Sequence, residues 1–552
     1  MPPLHQNPHS VAKRPRLLAR LFHGTGAGAV GYGLGIATNL LLLPLYLRAW
    51  SVPVYGEWMA LYSVVNYLGS LDFGITTAAV NAATIAYARQ DWPAFKRIQG
   101  TAWAASLAIA AAGGLATALL AAFYFHLDAW LGLRSLGHQE SRLVICGLAV
   151  SLLANIPGRQ LTAIFCAAGA FATYQWLNNA YTFISFLATA VALAFGARPV
   201  TLALVLAAAT IATIVYSLIL LSRKGSQLLP HLSDADWHTA RTLSAPTGQV
   251  GISMFASALT VQGPVIVLSR MLGGPAVALF TTTRTITNAV RAVIVLLRAP
   301  LRPEFGAASA QSNKDALARL FRVAVSVDTV VALTLSATLW TGGIWLIQFW
   351  SHRHILPDAQ LLHLLLVSVV IEGFLQILTV VGWATNKIKG VSVGLLITAV
   401  TSLIFAVALV GRFGPSAIPI GTLIPLVILM APIALRNAAS EAHIPMRYVL
   451  SRILLPFLAV SAASVGLLVW LARFASLPWW FIASLSTLSV FVLSTCICAV
   501  FYLTQKDRLL VADRLANLFR RKVPDTVPAT KLQEQGLASA HSYAEPSEMV
   551  QN

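Results

Sequence analysis

The chain has 552 residues, 57% of them hydrophobic and 10% charged, with a mean hydropathy of +0.74. Soluble domains carry about 25% charged residues, so this composition excludes a soluble protein and points to an all-α polytopic membrane protein. The net charge of +19 would suit nucleic acid if it formed one patch. Here it is scattered between apolar runs, and no nucleic-acid partner is expected.

In chain order, Met1 to Arg20 is polar and basic, with Lys13, Arg14, Arg16 and Arg20. The apolar run that follows, about 26–47, is longer than the 7–15 residues of a signal-peptide core, so it reads as a retained first span. The second run, Val54 to Gln90, is nearly twice the ~20 residues that one span needs. Leu71-Asp72-Phe73-Gly74 lies in its middle. This predicts a long helix broken at Asp72 and Gly74, with Gly74 as a hinge. Tyr55, Trp58, Tyr62 and Asn66 recur at helical spacing and predict a cavity-lining face.

Twelve more runs follow, at about 101–125, 143–168, 172–196, 199–222, 246–270, 275–298, 321–349, 359–385, 390–411, 415–436, 449–473 and 478–503, which makes fourteen spans. Pro157 and Pro264 predict kinks in the fourth and seventh, tolerated where neighbours re-satisfy the backbone. The polar tail beyond about Val523 predicts disorder. With an even count both ends lie on one side. That side carries 27 of the 38 Lys and Arg; the opposite side carries 8, and Arg159, Arg284 and Arg291 lie within spans. Such a bias makes both termini cytoplasmic in a multi-pass inner-membrane protein. Contact with anionic membrane lipids is a secondary expectation.

A weak internal repeat is visible. Ala88-Arg89-Gln90-Asp91 precedes a basic helix start after span 2, and Ala310 to Asp315 precedes another after span 8. Asp91 and Asp315 are the expected N-caps. The offset of six spans implies two lobes of the same orientation around a central site. The expected divisions are 1–25, a basic N-terminus; 26–222, the first lobe; 223–245, a linker; 246–436, the second lobe; 449–503, two added spans; and 504–552, the tail.

No P-loop, zincin or nucleophile-elbow pattern occurs, and no cofactor is expected. The four cysteines all lie in apolar runs, so neither a disulfide framework nor a metal site is implied. His352 and His354 read as a solvated loop. No loop is long enough for a catalytic domain, so transport is expected rather than an enzyme. Asp72, Asp328 and Glu372 could couple to a proton or cation, or could pair with intramembrane arginines.

Arg284, Asn288 and Arg291 fall at i, i+4 and i+7, with Arg298 at i+14, so they share one helical face. The arginine stripe spans roughly 21 Å. Guanidinium groups suit diphosphate because they form paired bonds to its oxygens. Arg284, Asn288 and Arg291, with Arg159 after the Pro157 kink, are the candidate diphosphate ligands. Their alternatives are snorkelling for Arg291 and Arg298, and pairing with Asp328 or Glu372 for Arg284.

Pro53-Val54-Tyr55-Gly56-Glu57-Trp58, Leu71-Asp72-Phe73-Gly74 and Asn81, with Thr283 to Arg291 and Pro303-Glu304-Phe305, resemble the polysaccharide-export flippases. These are the Wzx-type members of the multidrug/oligosaccharidyl-lipid/polysaccharide (MOP) superfamily, and the resemblance covers roughly residues 25–450. It implies a MATE-like V of two six-helix lobes that opens alternately to either side. It also implies an undecaprenyl-diphosphate-linked oligosaccharide as cargo and a polysaccharide polymerase or export machinery as partner. Twelve spans are common in that family, whereas fourteen are more typical of lipid II flippases. The alternatives are a multidrug exporter of the same superfamily, which should carry an acidic cavity, and a membrane-embedded glycan polymerase or ligase.

Overall fold

The structure is a computed structural model that describes residues 14–69, 74–122, 126–224, 228–298, 301–310, 314–384, 389–441, 444–474 and 478–502. Asp72 and the tail beyond 502 lie outside the described residues.

The helices of the first half are α1 (Arg14–Ala49), α2 (Val52–Gly69), α3 (Ile75–Ala88), α4 (Trp92–Ala122), the short α5 (Leu127–Leu131), α6 (His138–Ala167), α7 (Phe171–Ala194) and α8 (Pro199–Lys224). The second half holds α9 (Trp237–Leu272), α10 (Gly274–Arg298), α11 (Leu301–Ala310), α12 (Lys314–Trp350), α13 (Ala359–Leu378), α14 (Val380–Ala384), α15 (Lys389–Phe413), α16 (Ala417–Pro425) and α17 (Ala431–Glu441). The end of the chain adds α18 (Met446–Val449), α19 (Leu455–Leu471) and α20 (Trp479–Phe501).

Among the described residues, eleven helical runs are long and apolar enough to cross a membrane. One of them, Lys389–Glu441, is 53 residues long and folds back as α15 followed by α16 and α17. The broken second run and the amphipathic α10 account for the remaining expected passes. The described part of α2 runs to Gly69, and Gly74, at φ +81°, precedes α3. Left-handed backbone of this kind costs a side-chain-bearing residue energy that glycine avoids.

Asp91 caps α4, accepting from the Ala94 N–H at 3.0 Å. Asp236 caps α9, where the hydroxyl and N–H of Thr239 hold its carboxyl below the ordinary range. The side chain of Asp315, the other expected cap, lies outside the described residues. Pro157 and Pro264 sit inside helices that run on through them. The π turns occur at other prolines, Leu426–Met430 after Pro425 and Leu450–Leu454 before Pro456. A proline supplies no N–H, which favours such local re-pairing.

The pairing pattern repeats at the six-span offset. Helix α1 packs on α7 as α9 packs on α15, and α4 packs on α6 as α12 packs on α13. Helix α2 packs on α6 as α10 packs on α13, and α2 and α10 cross each other between the lobes. The α19–α20 pair lies against α12, with Trp345 stacked on Trp479 at 3.8 Å, while Phe374 of α13 stacks on Phe457 of α19 at 3.9 Å.

The near face is where α1 begins and α20 ends; the distal face is opposite. The lobes are sealed at the distal face. A Cβ on Gly56 would stand 1.8 Å from the Gly274 carbonyl oxygen, so only glycine permits this crossing of α2 and α10. Beside it the buried Glu57 carboxylate accepts from the N–H groups of Arg134, Ser135 and Leu136 at 2.8–3.1 Å. Ser269 Oγ donates to the Leu131 carbonyl at 2.8 Å, and Trp350 Nε1 to that of Leu40 at 2.6 Å. Two apolar clusters, around Leu43, Tyr55 and Ile355 and around Ala60, Val265 and Phe280, fill the seal.

Candidate functional site

Below the distal seal lies a cavity of about 590 Å³ between α1, α7 and α10. Its second-lobe wall is α10, with Thr281, Arg284, Thr285 and Asn288. Arg284 stands ten residues into α10, about 15 Å from its distal end, which is half of the ~30 Å hydrocarbon thickness of a bilayer. Its guanidinium donates to the Val261 carbonyl at 2.5 Å and lies 5.0 Å from the Phe280 ring centroid.

The rest of the stripe is different. Arg291 Nη2 meets Glu372 Oε2 at 2.6 Å, and its Nη1 donates to Asn288 Oδ1 at 2.6 Å. Arg298 is held by both oxygens of Asp328, at 2.6 and 2.9 Å, by Gln376 Oε1 at 2.8 Å and by the Gly373 carbonyl at 2.9 Å. The sequence therefore identifies the correct acids as partners but assigns them to Arg284, and they in fact pair with the two arginines further along α10. Arg291 and Arg298 do not snorkel as isolated charges. They tie α10 to α13 and α12, and cavity-facing Arg284 keeps a carbonyl partner. Among the described residues that line the cavity there is no carboxylate. Arg159 is exposed on α6 and is not among the lining residues.

The first-lobe wall escaped the sequence reading. It consists of Asn39 on α1 and Gln175, Asn178, Asn179 and Thr182 on α7, above a glycine-lined stretch of α1. Asn179 Nδ2 donates to the Ala27 carbonyl at 2.8 Å and joins the two helices. Gly31 is needed for that approach, since a Cβ there would stand 2.4 Å from Asn179 Oδ1. The signal was present: 175, 178, 179 and 182 follow the same helical spacing that reveals the arginine stripe.

The predicted aromatic face of α2 is not a cavity lining. Tyr55 and Trp58 are 5% and 2% exposed. Tyr46 lies 5.4 Å from Tyr55, and Trp50 lies 5.4 Å from Trp58, ring to ring. Aromatic rings at such distances attract beyond their area burial, so this face became core. From α2 only Met59 reaches the cavity. His352 and His354 lie in the turn after α12, where His354 Nδ1 bonds the Ser351 carbonyl.

No protein-family model matches the chain, and no curated protein matches it. Solved structures do. An inward-facing multidrug-resistance MATE-family transporter of the MOP superfamily superposes with a TM-score of 0.62 at 14% identity, over 75% of this chain and 97% of that one. The lipid II flippase MurJ, in its inward closed conformation, gives 0.62 at 12% identity, over 88% of this chain and 99% of that one. A mutant of the Vibrio cholerae MATE transporter VcmN gives 0.53 at 16% identity, over 78% and 99%. These likenesses show the fold: an all-α polytopic membrane protein with the two-lobed MATE-like architecture shared by MATE transporters and MurJ.

Proposed function

We propose that the chain is an inner-membrane flippase for a lipid-linked glycan, an oligosaccharide on undecaprenyl diphosphate, moved by alternating access for polysaccharide assembly. The observation that carries this reading is the chemistry of the cavity. One wall offers amides and hydroxyls, which suit sugar hydroxyls. The other offers Arg284 with no carboxylate beside it, which suits phosphate oxygens. Retaining an arginine near the bilayer centre costs about 2.5–3.5 kcal/mol on insertion scales, and an anionic cargo gives it a use. Asn288, positioned by Arg291, is the second polar group toward the diphosphate.

The MurJ likeness extends over 88% of the chain and the MATE likeness over 75%. The distal seal corresponds to the periplasmic side, with both termini cytoplasmic, so this is the inward-facing state. Asp328 and Glu372, being paired, couple to ions only if those pairs open during the cycle. The polymerase and export machinery of the same glycan are the natural downstream partners.

The test is deletion of the gene, followed by measurement of lipid-linked oligosaccharide. Accumulation on the cytoplasmic leaflet, restored to normal by wild type but not by Arg284→Ala at equal abundance, supports the reading. Intact glycan export together with new sensitivity to cationic drugs would replace it with a multidrug exporter.

A further inference from the structure

The connection between α4 and α6 crosses the distal face and brings three metal-ligating side chains together. His126 precedes α5, Asp128 lies in its first turn, and His138 opens α6. Their ligand atoms all lie within 4.8 Å of one another. His138 Nδ1 is 2.9 Å from Asp128 Oδ1, and His126 Nδ1 is 4.0 Å from the same oxygen. The two imidazole rings lie side by side, with centroids 4.6 Å apart.

We propose that His126, Asp128 and His138 form a transition-metal site, for zinc in the first instance, on the distal rim of the seam between the lobes. Two imidazoles and one carboxylate are a zinc-type donor set, and three protein ligands leave the fourth position to water. A tetrahedral ion with N and O ligands at about 2.0–2.1 Å sets its ligand atoms about 3.4 Å apart. The observed 2.9 and 4.0 Å lie on either side of that value. His138 and Asp128 separate by a few tenths of an ångström, and the proton between them passes to solvent. The exposed His126, 68% accessible at its side chain, swings in to close the set. The His-x-Asp pair with its second histidine ten residues on matches no standard zinc motif, so sequence spacing did not expose it.

The position gives the site a consequence. The same loop is bonded to both lobes. Glu57 of α2 holds its residues 134–136, Ser269 of α9 donates to Leu131, and Gly132 packs against the Ser269 and Arg270 carbonyls. A metal ion joining His126 and Asp128 to the start of α6 stiffens the piece that links the lobes and favours the distally closed state. This inference does not depend on which cargo the central cavity takes.

The test uses the full chain, purified in detergent, stripped with chelator and titrated calorimetrically with zinc chloride. One equivalent is expected to bind, with affinity reduced at least tenfold in His126→Ala and in Asp128→Asn. His126 is exposed, so its replacement leaves the fold intact, which gel filtration verifies. Hydrogen exchange should slow in residues 126–138 when zinc is added to wild type and stay unchanged in His126→Ala. Equal zinc affinity in wild type and the His126→Ala/His138→Ala double variant, or no binding below millimolar zinc, overturns the site. Binding without slowed exchange overturns its coupling to the seam.

Discussion

The two walls of the central cavity come from lobes of one architecture and carry opposite chemistry. On the first-lobe side, α1 and α7 approach closely through glycines and present amides. On the second-lobe side, α10 presents a guanidinium and three other polar groups. The repeat fixes where helices lie, and it leaves free what they display. A cargo with a neutral polyhydroxyl part and an anionic part needs such a division, whereas a purely cationic cargo would need neither wall. The division also runs along α10 itself. Its middle faces the cavity with Arg284, and its near end is locked by Glu372 and Asp328.

The largest expected effect separates those two parts of α10. Asp328 and Arg298 are 5% and 11% exposed at their side chains. Asp328→Ala leaves a buried guanidinium without its counter-charge, which costs about 3–5 kcal/mol. Protein abundance and melting temperature should fall together with export. The apolar double replacement Arg298→Met/Asp328→Leu should recover most of the stability, since a buried pair as a whole contributes little. If the double variant is as unstable as the single one, the pair does more than hold α10.

Arg284→Ala comes next, and it should separate function from folding. Losing a charged hydrogen-bonding group toward phosphate removes about 1.5–3 kcal/mol, or roughly 10- to 100-fold in export. The melting temperature should hardly change, because no carboxylate is left orphaned. Arg284→Lys should recover part of the activity, as a point charge without the paired bonds of guanidinium. A complementation assay beside a detergent-extracted melting curve checks both halves. An unstable Arg284→Ala protein would move this residue into the structural part of the stripe.

On the opposite wall, Gly31→Ala sets a methyl 2.4 Å from Asn179 Oδ1. Asn179 must turn away and give up its bond to the Ala27 carbonyl, a loss of about 1 kcal/mol. The double variant Gly31→Ala/Asn179→Ala should be less damaged than the two single effects added together, because both act on one contact. Additive losses in a thermal-melt cycle would mean that Gly31 serves some other approach.

What was legible in the sequence divides along physical lines. The passes were legible because hydropathy is local, and the break at Gly74 was legible because the run was too long for one span and held a glycine. The stripe on α10 was legible from spacing alone. Its division of labour was not, since that depends on acids 81 and 30 residues away along the chain. Glu57 stands within Pro53–Trp58, yet its role is not legible there, because its partners are backbone N–H groups 77–79 residues distant. The face of Tyr55 and Trp58 was misread for a related reason. A polar-aromatic face serves a cavity or a ring cluster equally well, and Tyr46 and Trp50 at the end of α1 decided the matter.

The smallest expected effect tests the amide wall directly. Gln175 and Asn178 occupy adjacent turns of α7 at the cavity, and Asn178 Nδ2 is already committed to the Tyr174 carbonyl at 2.9 Å. Its carbonyl oxygen and the Gln175 amide are two of the polar groups that α7 presents to the cavity. A neutral hydrogen bond contributes about 0.5–1.5 kcal/mol net, so Gln175→Ala should reduce export about two- to tenfold. Neither position touches the distal seal or the ion pairs of α10, so abundance and melting temperature should stay at wild-type values. The informative comparison is cargo dependence. Gln175→Ala should matter more for a lipid-linked oligosaccharide than for a lipid diphosphate bearing a single sugar, while Arg284→Ala should impair both alike. Equal sensitivity of the two cargoes to Gln175→Ala, measured by flipping in reconstituted vesicles, would show that the amides do not read the glycan and that the walls share one task.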